Sequence, residues 1–413
     1  MTDEGTTGKR VVDCGQLIDG TGEDPIEDAR VRIENGRVAA VGTHESVETP
    51  ECAVYDRYPD ATVIPGLIDA HVHIQGVRSM DPMDWVTGTD AHDAARATAD
   101  LRKLVDAGFT TVRDLGSTTG IGLKRAVAEG EVPGPRIATS GQSISQTGGH
   151  GDAHSLPYAW ARDGGMRIGT VVDGVEECRR EARKRLRDGA DCVKIMATGG
   201  VLSERDSPAQ LQFVPEEIEA IVTEAHRGGV PVAAHAQGAA GIEQALEAGV
   251  DTIEHGFELT PAIIEQLHET DAVVVATLSI NHRIVEAGAD HGVPPGSLEK
   301  MEGAATEHFD SIRRAYEADV PIALGTDFMG PDLVPHGDNA MEARLLVEEI
   351  GLSEMEAIEA GTRIAARTLP YDDVGTVESG QRADLAVLED DPLADITALE
   401  SVAATYRDGE RVA

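Results

Sequence analysis

Eight short apolar segments, each followed by an amphipathic helical stretch, fill the middle of this chain and constrain its fold more than any other feature. Strand and helix alternating eight times over about 300 residues is the arrangement of a (β/α)8 barrel. A doubly wound open sheet is the main alternative, but no GxGxxG sequence follows the first predicted strand. The predicted strands are residues 66–73, 110–115, 136–140, 191–197, 231–235, 252–255, 272–278 and 321–327. The helices are predicted at residues 90–107, 121–129, 173–188, 215–227, 241–248, 261–270, 297–317, 339–350 and 353–368.

Both ends of the chain instead contain short strands separated by turns. Asn35-Gly36 separates two of them and favours a type I′ hairpin, since both residues tolerate a positive φ. We therefore expect an α/β protein, a TIM-like (β/α)8 barrel with a small β-sandwich domain built from both termini. The domain boundaries are predicted at residues 1–64, 65–369 and 370–413. The strands of the small domain are predicted at residues 10–14, 29–34, 38–42, 52–56, 375–377, 384–388 and 402–407.

The composition excludes several classes of protein. Acidic residues number 74 and basic residues 35, which gives a formal net charge of −39. This charge argues against nucleic-acid and anionic-membrane partners, because both require basic patches. No apolar run approaches the ~20 residues of a membrane helix. Residues 1–10 are polar and lack the apolar part of a secretory signal, so we expect a cytoplasmic protein.

The low lysine content suggests adaptation to salt. Six of the 35 basic residues are lysine, and the aromatic fraction is 3%. An acidic, lysine-poor surface is typical of proteins from salt-in halophiles, where high salt screens the repulsion between carboxylates. An ordinary acidic cytosolic protein is the alternative. The four cysteines lie far apart without a CxxC pair, so we expect reduced thiols rather than a zinc ribbon or a disulfide framework.

Side chains that can bind a metal lie at the C-terminal ends of the predicted barrel strands. His71 and His73 end the first strand, and alternate residues of a strand face the same side. The other members of the group are Lys194 in the fourth strand, His235 at the end of the fifth, His255 at the end of the sixth and Asp327 at the end of the eighth. These strand ends surround one mouth of a barrel, where barrel enzymes have their active sites. Because crowded imidazoles repel each other when protonated, we expect them to bind a divalent metal, and imidazole and carboxylate suit zinc.

Each of these residues has a structural alternative. A single histidine at a strand end is more often a hydrogen-bonded structural residue than a ligand. Asp327 could cap a helix or orient a ligand from outside the metal site. Lys194 could act as a catalytic ammonium group or form a Schiff base.

The sequence around these positions resembles the amidohydrolase superfamily, and the resemblance covers most of the chain. The matching segments are residues 65–73 (PGLIDAHVH), 193–201 (VKIMATGGV), 234–236 (AHA), 253–256 (IEHG), 325–327 (GTD) and 375–385 (GTVESGQRADL). The lysine followed by Thr-Gly-Gly is similar to the Xaa-Pro dipeptidase and imidazolonepropionase-related branch. Imidazolonepropionases themselves use one metal and lack the bridging lysine, so Lys194 favours a binuclear centre.

The resemblance implies two divalent metal ions, expected to be Zn2+, bridged by hydroxide and by Lys194 carboxylated on its side-chain nitrogen. His71, His73 and Asp327 would hold one metal, and His235 and His255 the other. The metals would lower the pKa of the bridging water and polarise the substrate carbonyl. Asp327 would take the proton and pass it to the leaving amine.

Two further residues are candidates for substrate contact. His150 follows two glycines, and a similar Gly-Gly-His in this branch contacts the carbonyl or the carboxylate of the substrate. The alternative is a loop histidine without a role, and the same two interpretations apply to His154. Gln237 stands where dipeptidase relatives are expected to have tyrosine, which weakens any transfer of their Xaa-Pro specificity.

The sequence thus predicts a zinc-dependent amidohydrolase that cleaves the C–N bond of a dipeptide or an N-acyl amino acid. One alternative is a hydrolase of cyclic amides, imidazolones or lactones on the same site. A scaffold homologue that has lost its metal ligands is a remote alternative, because all six ligand positions are filled. We expect a small-molecule substrate and association into a homo-oligomer.

Overall fold

A computed structural model describes residues 8–154, 156–160, 167, 169–203 and 205–413 of the chain. Residues 1–7 of the polar N-terminal segment lie outside the described residues. Within the described ranges, no helix combines the length and the apolar character that crossing a membrane requires.

The small β domain takes strands from both termini. Hydrogen bonds join seven strands in the order β17-β16-β15-β4-β1-β2-β3, and one apolar core packs N-terminal residues such as Val31 against C-terminal ones such as Tyr406. The predicted hairpin is confirmed, since Asn35 and Gly36 have φ values of 53° and 78°. The predicted strand at 375–377 is wrong, because this segment is irregular. The strands are β1 (Lys9–Leu17), β2 (Ile26–Glu34), β3 (Arg37–Thr43), β4 (Val54–Pro65), β15 (Leu385–Leu388), β16 (Val402–Arg407) and β17 (Glu410–Arg411).

The middle of the chain forms the predicted parallel barrel. Two sheets, β5-β6-β7 and β14-β13-β12-β11-β10-β8-β9, share one ring. The ring closes on one side where Asp327 N donates to His71 O, and on the other where Asp191 N donates to Thr139 O. Its strands are β5 (Leu67–Val72), β6 (Phe109–Asp114), β7 (Arg136–Thr139), β8 (Ser143–Ser145), β9 (Gly169–Val171), β10 (Val193–Met196), β11 (Val232–Ala236), β12 (Thr252–His255), β13 (Val273–Val275) and β14 (Ile322–Ala323).

The third, seventh and eighth predicted barrel strands differ from the prediction. The third predicted strand, residues 136–140, continues beyond β7 as β8, which pairs with β10 and with the additional strand β9. The seventh ends at Val275 rather than at residue 278, because Thr277 takes a φ of 56° and a helix begins at Leu278. The eighth ends at Ala323, so Asp327 lies in a loop after the strand instead of at its end.

Helices pack around the barrel and fit the predicted pattern closely at 215–227 and 261–270. The sequence missed the helices at Pro82–Thr87, Tyr158–Trp160 and Leu278–Ala287. The last two predicted helices each start as α-helix and contain a wider π-helical turn, at Leu346–Ile350 and Ala360–Ile364. The first helix ends with this turn, and the second continues as α-helix through residue 366. The α-helices are α1 (Pro82–Thr87), α2 (Asp90–Asp106), α3 (Gly120–Ala128), α4 (Tyr158–Trp160), α5 (Val175–Asp188), α6 (Pro215–Arg227), α7 (Ala239–Glu247), α8 (Pro261–Thr270), α9 (Leu278–Ala287), α10 (Pro295–Glu317), α11 (Met341–Leu345) and α12 (Glu354–Glu359).

The alternation of side chains along the strands positions the site. In β10, Val193 and Ile195 belong to the apolar cluster shared with the surrounding helices, whereas Lys194 lines the central cavity. In β5, His71 likewise lines the cavity while Ala70 packs in an apolar cluster. The period of two in a strand therefore separates the barrel core from the side chains of the site.

Candidate metal centre

A cavity at the C-terminal mouth of the barrel contains every metal-binding residue predicted from the sequence. His150 and Gln237 line the same cavity. The structure thus brings together side chains from both sheets of the barrel. The six predicted ligands in its lining are His71, His73, Lys194, His235, His255 and Asp327.

One half of the site consists of His71, His73 and Asp327. Ligand atoms of these three residues lie within 4.8 Å of one another. Asp327 Oδ1 is 3.5 Å from His71 Nε2 and 3.0 Å from His73 Nε2. The other ring nitrogens are engaged, because His71 Nδ1 lies 2.8 Å from Glu254 Oε2 and His73 Nδ1 lies 2.9 Å from Gly116 O.

The second half consists of His235 and His255, whose ring centroids are 4.6 Å apart. His255 Nδ1 is 2.8 Å from Thr277 Oγ1, which leaves Nε2 for another partner. His235 Nε2 is 3.2 Å from Gly199 O and leaves Nδ1. The two halves adjoin, since the rings of His71 and His255 are 5.2 Å apart.

Lys194 completes the group from the barrel interior. Its side chain is 1% exposed, and its Nζ atom has no hydrogen-bond partner. Burial lowers the pKa of this ammonium group to about 8, although Glu254 and Asp327 act against the shift. A buried amine without a partner is costly. The lysine is therefore suited to bond with something that the protein itself does not supply.

These residues fit divalent metal ions. An acceptor at one ring nitrogen fixes the neutral tautomer of a histidine and leaves a lone pair at the other nitrogen. Glu254 and the carbonyls of Gly116 and Gly199 do this for three of the four histidines. The free lone pair of His71 then approaches the carboxylate of Asp327, and such converging acceptors repel unless a cation lies among them.

The electrostatics of the cavity favour neutral imidazoles at His71, His235 and His255 and an ionised carboxylate at Asp327, whereas the contact with Asp327 raises the pKa of His73 against the effect of burial. Burial and the nearby Lys194 lower the pKa of His71 to about 4. Burial, together with neighbouring histidines, lowers the pKa values of His235 and His255 well below their usual range. Burial alone would raise the pKa of Asp327, but His71 and His73 outweigh it and hold that pKa below its usual range. Neutral imidazole and carboxylate are the forms that bind metals.

The sequence analysis missed the network that orients His71. Glu254 Oε1 accepts from Arg113 Nη2 at 2.8 Å, while Oε2 faces His71. Arg113 is fully buried and also donates to Ala70 O. Its charge lowers the pKa of Glu254 to about 2 against the effect of burial. An arginine inside a predicted barrel strand, residues 110–115, was the signal that could have revealed this network.

The backbone around the site is strained at three strand ends. His255, Thr277 and Asp327 take φ values of 76°, 56° and 59°, and they follow or end β12, β13 and β14. A positive φ is costly for residues with a side chain, and such strain is often found at functional sites. The turn at His255 lets its side chain reach the cavity although Glu254, the preceding residue, also points inward.

His150 stands over the second half of the site. Its ring stacks on that of His235 with centroids 4.2 Å apart. His150 Nδ1 is 3.1 Å from Ser203 Oγ and 3.6 Å from Asp206 Oδ2. His154 lines the same cavity, and both of its ring nitrogens are buried without a partner. The structure thus places both loop histidines in the same cavity as the predicted metal ligands.

Away from the histidines, the cavity has an apolar wall. The indole nitrogen of Trp85 donates to Ser79 O at 2.7 Å, so its polar edge is already satisfied by the protein. The wall combines residues from several loops of the barrel mouth and can contact an apolar part of a ligand. Its members include Met80, Trp85, Leu202, Ile280, Val293 and Met301.

Comparison with known families is consistent with this geometry. The model described as "Amidohydrolase family" matches residues 62–412. The ochratoxinase of Aspergillus niger is 34% identical over 407 residues, which cover 94% of this chain and 82% of the relative. Its crystal structure superposes with a TM-score of 0.90 at 31% identity, covering 98% of this chain and 96% of that one.

Two further relatives extend the comparison. A prolidase crystallised with N-methylphosphonate-L-proline has a TM-score of 0.90 at 33% identity and covers 98% of this chain and 99% of its own. The imidazolonepropionase of Salinispora tropica is 26% identical over 404 residues, or 91% of this chain and 90% of the relative. The similarity extends over nearly the whole chain, including strands of both the barrel and the small β domain.

Proposed function

This chain belongs to the amidohydrolase family, and on that premise we propose that it hydrolyses the amide bond of a dipeptide or an N-acyl amino acid with two bound divalent metal ions, most suitably zinc. The convergence of four histidines, Lys194 and Asp327 in one cavity carries this proposal. His71, His73 and Asp327 would hold one ion, and His235 and His255 the other. When bound, such metals lower the pKa of water and polarise a carbonyl.

Lys194 would bridge the two halves after modification. Its neutral amine can add to carbon dioxide, forming a carbamate N–C bond and releasing one proton. The product carries one negative charge shared by two oxygens, where the protein shows a buried nitrogen without a partner. Support for this modification comes from the closeness of Lys194 to both groups of histidines, since its charge lowers the pKa values of His71, His235 and His255. A bare ammonium there would repel dications.

Asp327 would move the proton during hydrolysis. Its carboxylate faces the open nitrogens of His71 and His73 and stays ionised in this environment. It can therefore accept a proton from the attacking water and release it to the nitrogen of the departing amine. His150, which stacks on His235, would donate a hydrogen bond to the carbonyl or the carboxylate of the substrate.

Metal analysis combined with substrate screening tests this function. Zinc-loaded protein in high KCl is assayed against a library of dipeptides and N-acyl amino acids, and the metal content is measured on the same sample. We expect turnover with about two metals per chain. As a control, His226→Asn alters an exposed histidine that does not line the cavity and should retain metal and activity. Two metals without turnover would contradict the substrate class, and absence of bound metal would contradict the mechanism.

We further propose that the enzyme is a salt-adapted cytoplasmic protein, on the basis of its net charge of −39 and its six lysines. Repulsion among carboxylates weakens the folded state at low ionic strength and is screened by salt. The thermal midpoint should therefore rise between 0.1 M and about 2 M KCl. An unchanged midpoint would contradict this adaptation. Association into a homo-oligomer stays a prediction.

A further inference from the structure

Gln237 lies directly after β11 and two residues beyond His235, on the floor of the cavity. Its side chain is 3% exposed. The side-chain oxygen Oε1 is buried and has no hydrogen-bond partner. An unpaired buried acceptor is unfavourable, and in native proteins it usually meets water or a ligand.

Three polar groups next to Gln237 in the structure or along the chain already have partners. Thr198 Oγ1 accepts from Gln237 N at 3.0 Å and donates to Gly199 O at 2.7 Å. The amide of Ala239 donates to Glu258 Oε2 at 2.9 Å, and His235 Nε2 contacts Gly199 O. A ligand that enters the cavity can therefore supply the donor for Gln237 Oε1.

We propose that Gln237 is a specificity-determining residue whose Oε1 accepts a hydrogen bond from the N–H group of the scissile amide, so that the protein selects secondary amides over prolyl amides. This inference rests on the proposed hydrolysis of amides at the adjacent histidine cluster. A prolyl bond is a tertiary amide without an N–H group, and its ring methylene would face the buried oxygen.

The hydrogen bond would also orient the substrate. The N–H bond lies in the plane of the amide, so a hydrogen bond to Gln237 leaves the space above and below that plane free. The nitrogen can there receive the proton that it needs to leave as an amine. A site that pairs with a substrate N–H discriminates against analogues that lack it, because the protein group is then left without a partner. The selectivity thus follows from the same unpaired oxygen.

A matched pair of substrates tests this inference. N-acetyl-L-norleucine and its N-methyl derivative differ by replacement of the N–H by N–CH3, and both carry an apolar side chain for the cavity wall. For metal-loaded wild-type protein we expect kcat/KM to be at least about tenfold higher for the N–H substrate. Gln237→Leu should reduce this ratio to near one, whereas Gln237→Glu keeps an acceptor and should preserve a preference for N–H.

A binding measurement separates this inference from hydrolysis itself. Trp85 lines the cavity and Trp160 is 58% exposed, and these are the two tryptophans of the chain. In a Trp160→Phe background, the fluorescence of Trp85 can report binding of methylphosphonyl-norleucine in its N–H and N-methyl forms. We expect tighter binding of the N–H form, and Gln237→Leu should remove the difference.

The outcomes distinguish the two claims. Selective binding without hydrolysis of either acetyl compound or of any member of the dipeptide and N-acyl amino acid library would support the role of Gln237 and overturn the proposed function. Equal hydrolysis and equal binding of both forms by the wild type would overturn the role of Gln237 and leave the function standing. If Gln237→Leu weakens both forms equally and the preference for N–H persists, Gln237 contacts a different part of the ligand and the inference is wrong.

Discussion

The two halves of the metal site use the same type of ligand but differ in charge. The half at β5 and β14 has two histidines and the carboxylate of Asp327, with ligand atoms within 4.8 Å. The half at β11 and β12 has two neutral histidines, and among the described residues no third ligand-type side chain forms a compact group with them as Asp327 does with His71 and His73. Lys194 is placed to supply the missing negative charge, but only as a carbamate. The second half should therefore depend on a modification that the first half does not need.

The two halves resemble each other in how the protein supports them, because a buried acidic side chain accepts hydrogen bonds from the loop behind each half. Asp69 accepts from Thr326 Oγ1 and Asn339 Nδ2, both at 2.7 Å, next to Asp327. Glu342 accepts from the amides of Leu278 and Ser279, directly after the threonine that contacts His255. The hydrogen bonds that hold the loops behind the two halves are thus comparable, and the halves differ in their predicted metal ligands.

The largest effect is expected from Asp327→Asn, which removes the proton acceptor and the one carboxylate of the first half. We expect kcat to fall by about 10³-fold or more, because an amide cannot carry the proton. Activity and bound metal are measured together. Asp338→Asn, an exposed residue paired with Arg283, is the control and should stay within about twofold of wild type. Comparable activity in Asp327→Asn and wild type would refute the assigned role.

Lys194→Ala tests whether metal binding in the second half depends on a carboxylated lysine. We expect bound metal to decrease from about two to about one per chain and kcat to fall at least about 100-fold. Short carboxylic acids such as propionate should restore part of the activity, since they can occupy the space of the carbamate. Lys184→Ala, on the exposed face of α5, serves as control. Full activity of Lys194→Ala without added acid would show that the second half needs no modified lysine.

Most residues of the two halves could be predicted from the sequence, because the period of two places His71 and His73 together and barrel topology brings strand ends to one mouth. The sequence could not predict the turns that bring the remaining side chains into the site. Asp327 lies in a loop, four residues beyond the end of β14, and has a positive φ. An aspartate in the sequence does not by itself predict a positive φ. Partners distant along the chain, such as Arg113 and Glu254, were missed because a charged residue within a strand does not reveal what it contacts.

A smaller effect is expected from Thr277→Val, which removes the hydroxyl next to His255 Nδ1 while keeping the shape of the side chain. Such partners orient metal-binding histidines, and their loss typically costs about 10- to 100-fold in metal affinity. We expect the loss to be confined to the more weakly bound of the two metals, as measured by competition with a chelator. Thr270→Val at the end of α8 is the control. Equal weakening of both metals would show that the halves are not independent.

The smallest effect concerns Glu342, the carboxyl group behind the second half. Burial, with a contribution from Asp69, raises its pKa to about 7 although its hydrogen bonds act in the opposite direction. Between pH 4.5 and 7 the folded state therefore retains a proton that the unfolded chain releases. This proton stabilises the folded state fully below the pKa that Glu342 has in the unfolded chain, and the stabilisation is lost as the pH rises through 7.

Glu342→Gln stays neutral and should lack this dependence. Relative to the variant, the free energy of unfolding of the wild type should fall by about 2 kcal/mol between pH 5 and pH 8. Denaturant unfolding at both pH values in constant KCl measures the difference, with Glu348→Gln as a surface control. A pH-independent difference would mean that Glu342 is ionised throughout this range. Its two backbone donors would then hold a carboxylate, and the second half would have a permanent negative charge behind Thr277.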